Sequence, residues 1–418
     1  MTTGRPARLL AMAGTLLSLL ALAVPAQASP GPIGAPEWWF DSWQVDQLWA
    51  GGADGRGITV AVIDTGVQAS LPELSGRVLP GADLIGNGSD GRIDYDTDAF
   101  SHGTAMASII VARSGLAGIE GLAPGARVLP VSVPLRGVVR NGKPTVNATS
   151  VAIDYAADHG ARIINLSLGG VRDPSDGPDP CPSTVQAAVL HALSRGALVV
   201  AASGNSGGDG SPVEEPGVCL GVISVGAVNR QLAVLPFSSR HPYLTVSAPG
   251  DNIPSLSRDS AYIGEGTSQA TAMTSAALAL IWSKYPTETN RQVLTRLLST
   301  TTDRGPAGRD SSYGLGVINP AAAIAAHPAA GAPNLVFDGA QPLLALNNSK
   351  AYAPRAVPAA GRSTSSLGTF RVGSAAAAAS VRFYLLVAGT AAFALLAGLF
   401  LLLFVRRRPA RRVPYGLR

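Results

Sequence analysis

Five short apolar runs occupy the middle of the chain, each bounded by glycine or a polar turn. They are the cores of "GITVAVIDTGV", "ARVLPVSV", "ARIINLSLGG", "ALVVAASGNSG" and "VISVGAV". Branched aliphatic runs of this length, with no polar alternation, suit strands buried on both faces. Helix-like patterns lie between them, such as Thr149–His159 and Thr184–Arg195. Each is closed by a glycine, Gly160 or Gly196, where a helix is expected to stop. Strand–helix–strand repetition leaves few arrangements open. It predicts an α/β fold with right-handed crossovers and a mostly parallel sheet covered by helices on both faces. With 46% hydrophobic and only 14% charged residues, the chain is neither a charge-driven disordered polymer nor a coiled coil.

In such sheets ligands sit just beyond the carboxyl ends of the strands. Functional side chains are therefore sought directly after the apolar runs. Asp64 closes the run Thr59–Ile63 and is followed by Thr65-Gly66. Aspartic proteases use the same triplet but need a second such carboxylate to share a proton, and no second Asp-Thr-Gly occurs. His102 stands in "SHGTAMASIIVA", where Gly103 and Thr104 lead into a helix of small residues. His159 is also followed by glycine, but it ends a helix, so that glycine is a C-cap. Ser268 stands in "GEGTSQATAMTSAALALIWSKYP", at the start of an alanine-rich helix that ends near Pro286. It reads either as an N-cap or as a nucleophile where helix N–H groups favour developing negative charge. The small residues Ala270, Ala272, Ala276, Ala277 and Ala279 would let that helix pass through a crowded core. Asn205, in "VVAASGNSGG", reads either as a turn residue or as an amide donor to an oxyanion.

An Asp, a His, an Asn and a Ser thus fall, in that chain order, at the edges of predicted elements. Together with "VAVIDTGV", "HGT", "GLAPGARVLPVSV", "NLSLGG", "AASGNSG" and "GTSQATA", they make residues 43–328 resemble the subtilisin-like serine proteases, whose triad follows the order Asp, His, Ser. The resemblance implies the subtilisin-like three-layer fold, a polypeptide substrate and no required cofactor. It implies that Ser268 attacks the scissile carbonyl, that His102 takes and returns the proton, and that Asp64 sets the His tautomer. Asn205 and the Ser268 N–H would hold the oxyanion. Ser167, Leu168 and Gly169 would be the strand edge that receives an extended peptide, and Ala201, Ala202, Ser203 and Gly204 would line the specificity pocket. One departure stands out: Ala272 replaces the family's proline, which implies a small shift at the start of the helix and reduced activity. Asp94, Asp96 and Asp98 precede His102. Alternating Asp can bind calcium; the other reading is a solvated acidic loop beside the cleft. No other metal site is read.

The ends concern targeting. Arg5 and Arg8, an apolar run from Leu9 to Val24 and Ala26-Gln27-Ala28 form the pattern of a secretory signal peptide over 1–28. Residues 29–42 form an N-terminal extension, part of an aromatic stretch expected to pack on the catalytic domain. Residues 329–382, rich in Ala, Pro, Gly and Ser, read as a flexible stalk or a small appended domain. Phe383 to Val405 is a 23-residue uncharged run, long enough to span a bilayer. The basic tail 406–418 then faces the cytoplasm by the positive-inside rule. The chain is thereby expected to be a single-pass type I protein of the cell membrane, its catalytic domain extracytoplasmic. Of the formal charge of +5, the signal segment carries two and the tail six, which leaves residues 29–405 at −3. The basic character belongs to topology, and no nucleic-acid partner follows from it.

This architecture resembles the mycosins, membrane-anchored subtilases of type VII secretion systems. That resemblance implies secretion-complex components as partners. A cell-surface subtilase without a secretion partner, and a scaffold whose chemistry is incidental, are the other readings. In an extracellular domain Cys181 and Cys219 are expected to be bonded, against two buried free thiols. Mycosins typically tie down the N-terminal extension with a further disulfide, for which no cysteines exist here, so the extension is expected to be looser.

Overall fold

The run Thr59–Ile63 and Asp64 form strand β1 (Thr59–Asp64), an interior strand of a seven-stranded sheet. The sheet also contains β2 (Ala82–Asp83), β3 (Arg127–Ser132), β4 (Ile163–Leu166), β5 (Leu198–Ala202), β6 (Val222–Val228) and β7 (Val246–Pro249). Their spatial order is β7-β6-β5-β4-β1-β3-β2, and every pairing is parallel. All five sequence-predicted strands are present. Neither edge strand shows an apolar run: β2 has two residues, and β7 (Val-Ser-Ala-Pro) carries a serine and a proline. The computed structural model describes residues 37–96, 100–115, 118–134, 139–140, 143–144, 148–171 and 179–348. All of them fall in one compact unit, Met1–Gly361.

The helices are α1 (Trp38–Trp43), α2 (Val45–Ala50), α3 (His102–Val111), α4 (Ala148–Asp158), α5 (Ser183–Ser194), α6 (Thr267–Lys284), α7 (Asn290–Leu298), α8 (Pro320–Ala325) and α9 (Leu335–Asn348). The bounds of α4 and α5 lie one residue earlier than their patterns suggested. Gly160 and Gly196, at φ 78° and 84°, take the left-handed conformation that ends each helix at low steric cost. Strands β4, β5 and β6 are buried at every position, as a sheet covered on both faces requires. Helix α6 packs on α3 and on β4, β5, β6 and β7. Its Ala270, Ala272, Ala276, Ala277 and Ala279, and its Trp282, are wholly buried, so small side chains do let it pass through the core.

From β1 the chain goes first to the sheet edge at β2 and then comes back inward. It reaches β3 on one side and then returns past β1 to β4 on the other, which makes the carboxyl ends of β1 and β4 a topological switch point where a crevice opens. Asp64 ends β1, and Ser167 follows β4.

Two packed regions differ from expectation. From Glu37 onward the N-terminal extension is not loose. Trp39, Trp43 and Val45 are buried, the Trp49 indole donates to the Leu122 carbonyl (3.0 Å), and Lys284 donates to the Gly51 carbonyl (2.7 Å). Aromatic burial and these bonds hold this segment on the domain. The packed part also continues past residue 328. Helix α9 buries Val336, Phe337 and Ala340 and pairs Asp338 with Arg291 (2.8 Å). Gly339 and Pro342 inside this helix gave the segment the composition of a linker. The proposed signal peptide, the rest of the stalk, the span 383–405 and the tail lie outside the described residues. Among the described residues, no helix is long and apolar enough to cross a membrane.

Burial, reinforced by the Glu120 charge, pushes the Glu37 carboxyl up to about 8. A raised acid favours the folded state while neutral. Its contribution is whole below the ordinary value of 4.5 and is lost as pH rises through about 8. Glu37→Gln is therefore expected to melt increasingly above the wild type as pH rises from 5 to 8, with no further gain beyond. Equal pH dependence in thermal melts of the two proteins would contradict this.

Candidate active site

Asp64 is wholly buried, and its Oδ1 accepts from the Thr65 N–H (2.8 Å). Both carboxylate oxygens lie 2.9 Å from His102 Nδ1. Because a carboxylate only accepts, Nδ1 carries the proton, and Nε2 is left with a lone pair. Burial disfavours a charged ring at His102. The Asp64 charge and hydrogen bond outweigh that, Asp96 and Asp94 add to them, and His102 holds its proton above the usual histidine range.

His102 is the first residue of α3, after Ser101 in the left-handed region (φ 48°). Its backbone N–H donates to Asp96 Oδ2 (3.0 Å). Asp94 Oδ2 accepts from the Thr104 N–H (2.9 Å) and hydroxyl (2.5 Å). The two carboxylates thus satisfy two of the open N–H groups of α3 and complement its dipole, while the Gly103 N–H donates to the Thr65 hydroxyl (3.0 Å). This corrects the solvated-loop reading, since Asp94 is 1% exposed. Asp98 lies outside the described residues. Among the described residues, no group of three or more His, Cys, Asp or Glu is placed to hold a metal.

Ser268 is the second residue of α6, whose N-cap is Gly266, so Ser268 is not the cap. Its N–H falls in the first turn, where no intrahelical acceptor exists. Its hydroxyl donates to the Ser167 carbonyl (2.9 Å), and the Ser167 hydroxyl donates to the Ser268 carbonyl (2.8 Å). In this state Ser268 Oγ therefore does not give its proton to His102. Behind Ser167, Asn165 donates to its hydroxyl (3.0 Å) and accepts from Ser275 of α6 (2.9 Å). Asn165 and Ser275 are wholly buried, and sequence reading passed over both. The one signal, for Asn165, was a polar residue inside an otherwise aliphatic strand; Ser275 lies in α6. Ala272 sits in an uninterrupted α6.

Asn205 follows β5. Its Oδ1 accepts from the Thr267 N–H and hydroxyl, both at 2.9 Å. Two donors on one atom assign it as oxygen, so Nδ2 faces away from Thr267 and remains a donor on the Gly266 side of the Ser268 turn. Ser167, Leu168 and Gly169 lie just past β4 rather than in it; Gly170–Val171 pairs antiparallel with Glu214–Glu215. Ala201 and Ala202 end β5, and Ser203 and Gly204 lead to Asn205. The structure thus joins Asp64 to His102, Ser268 to Ser167, and Asn205 to the start of α6. Cys181 and Cys219 are bonded (Cα–Cα 5.1 Å), which ties the segment before α5 to the turn before β6.

The parallel sheet thus carries a buried Asp–His pair, a serine in the first turn of a core helix and a side-chain amide beside that turn. The subtilase family model matches residues 55–316, and the chain belongs to this family of serine endopeptidases. It is 36% identical to subtilisin DY of Bacillus licheniformis over 67% of this chain and 95% of that one. It is 34% identical to the minor extracellular protease Epr of Bacillus subtilis (strain 168) over 68% of this chain, but spans only 41% of Epr. Among solved structures, the MycP3 protease from the type VII (ESX-3) secretion system aligns at a TM-score of 0.57 and 30% identity, over 72% of this chain and 90% of that one. Similarity to MycP3 accords with the mycosin resemblance.

Proposed function

We propose that this chain is a membrane-anchored, extracytoplasmic serine endopeptidase acting beside a type VII secretion complex. The observation that carries the chemistry is the fixed tautomer of His102, whose Nδ1 faces Asp64 and whose Nε2 is left to accept a proton; in the proposed mechanism Ser268 Oγ comes within reach of that nitrogen. Rotation of the Ser268 side chain away from the Ser167 carbonyl delivers its proton to Nε2, and Oγ attacks the substrate carbonyl. Negative charge then develops on the carbonyl oxygen between the Ser268 N–H and Asn205 Nδ2. The imidazolium, stabilised by Asp64, protonates the leaving amine, and water repeats the sequence on the acyl-enzyme. The uncharged run 383–405 with its arginine tail supports the anchoring, and the likeness to MycP3 supports the secretion role.

The purified chain is expected to hydrolyse a denatured protein such as casein, and Ser268→Ala to lose that activity. In cells, the full chain should sediment with membranes, and a chain ending at residue 382 should not. A full chain that stays soluble would overturn the anchoring. Failure to co-purify with a membrane secretion complex would favour a cell-surface subtilase without that partner.

A further inference from the structure

The carboxylate of Glu214 occupies a place that the catalytic steps do not use. A Cβ built on Gly169 would lie 2.8 Å from its Oε2, and one built on Gly204 would collide with Oε1 and lie 2.8 Å from Oε2. The carboxylate is therefore wedged between two glycine backbones. Gly204 immediately precedes the oxyanion donor Asn205. Gly169 lies two residues beyond Ser167, which touches the Ser268 hydroxyl. The two segments flank the nucleophile, so the space between them is open to the side chain of the residue that supplies the scissile carbonyl in the proposed reaction.

Glu214 is only 7% exposed, yet its carboxylate has no hydrogen bond or ion pair among the described residues. Its backbone is held firmly. The N–H donates to Tyr243 Oη (3.2 Å), and the residue pairs with Val171 across the short ladder. Burial pushes the carboxyl up from its usual range, so the free site carries the strain of an uncompensated buried acid. A buried carboxylate without a partner is costly, and a cation that reaches it relieves that cost. Gly169 is exposed, so the approach is open from that side.

We propose that Glu214 sets the specificity of this cleft by receiving the Lys or Arg side chain of the substrate residue that supplies the scissile carbonyl. This rests on the endopeptidase reading above. A charge-assisted pair in a desolvated pocket discriminates strongly against an apolar isostere, because the isostere leaves the acid unpaired.

The test uses the full chain and peptidyl diphenyl phosphonates that differ only in the side chain at that residue: Lys, Arg, norleucine or Ala. Their labelling rates read side-chain preference without turnover, and a small fluorophosphonate lacking any side chain serves as reference. Lys and Arg probes are expected to label about 100-fold faster than norleucine or Ala, and Glu214→Gln to bring the ratio to within about threefold. Wild-type labelling by norleucine or Ala at least as fast as by Lys would overturn the proposal, whatever the folding of the variant. So would a ratio kept in Glu214→Gln. Labelling by the fluorophosphonate with no basic preference defeats this proposal alone. A chain that the fluorophosphonate does not label defeats the endopeptidase reading, and this proposal with it.

Discussion

Asn in place of Asp64 is expected to lower kcat by about 10⁴-fold while the protein stays folded. Asp64 Oδ1 accepts from the Thr65 N–H, so an asparagine keeps its oxygen there and turns its NH₂ toward His102 Nδ1. That group donates, so Nδ1 must accept, and the imidazole proton moves to Nε2. A protonated Nε2 cannot take the Ser268 proton. The same substitution removes the largest charge that holds the His102 proton, leaving the smaller effects of Asp96 and Asp94 against burial, so the acid limb of kcat/KM moves to lower pH. Steady-state kinetics across pH on a peptide substrate checks both effects. A loss under about tenfold, or an unmoved limb, would contradict the tautomer argument.

Asn205 holds Thr267 and, in the proposed mechanism, donates to the oxyanion; two substitutions separate these roles. Asn205→Ala removes the Nδ2 donor, at about 10²–10³-fold in kcat. It also strands the Thr267 N–H and hydroxyl in a fully buried residue, at roughly 1–3 kcal/mol of stability. Asn205→Asp keeps an acceptor for Thr267 but sets a negative oxygen against the oxyanion. It is expected to melt near the wild type and to lose more kcat than the alanine variant, with little change in KM. If the Asp variant were the less stable and the more active of the two, the assignment of Oδ1 to Thr267 would be wrong.

The strands were legible because buried parallel strands are written as unbroken aliphatic runs, and β1, β3, β4, β5 and β6 each carry one. Asp64, His102, Asn205 and Ser268 stood out as candidates because each follows an apolar run or opens a helix, and because they occur in the chain order Asp, His, Asn, Ser beside several motifs of one family. Features that depend on distant partners were not legible. Asn165 and Ser275 stand 110 positions apart, and neither signals the bond between β4 and α6. Asp94 and Asp96 read as an acidic loop because local sequence does not show which helix they cap. Glu214 sits in an unpatterned stretch, and its significance lies in two glycines from segments far from each other in the chain. Helix α9 was hidden by Gly339 and Pro342, since local propensity opposes a helix that tertiary packing supports.

The most direct measurement is the mass-mapped attachment site of a small fluorophosphonate on the full chain. One adduct is expected, on Ser268, and His102→Ala should slow its formation by about 10³-fold or more. An adduct on another residue, or a Ser268 adduct that forms equally fast without His102, would contradict the assignment of Ser268 as a nucleophile activated through His102 and Asp64.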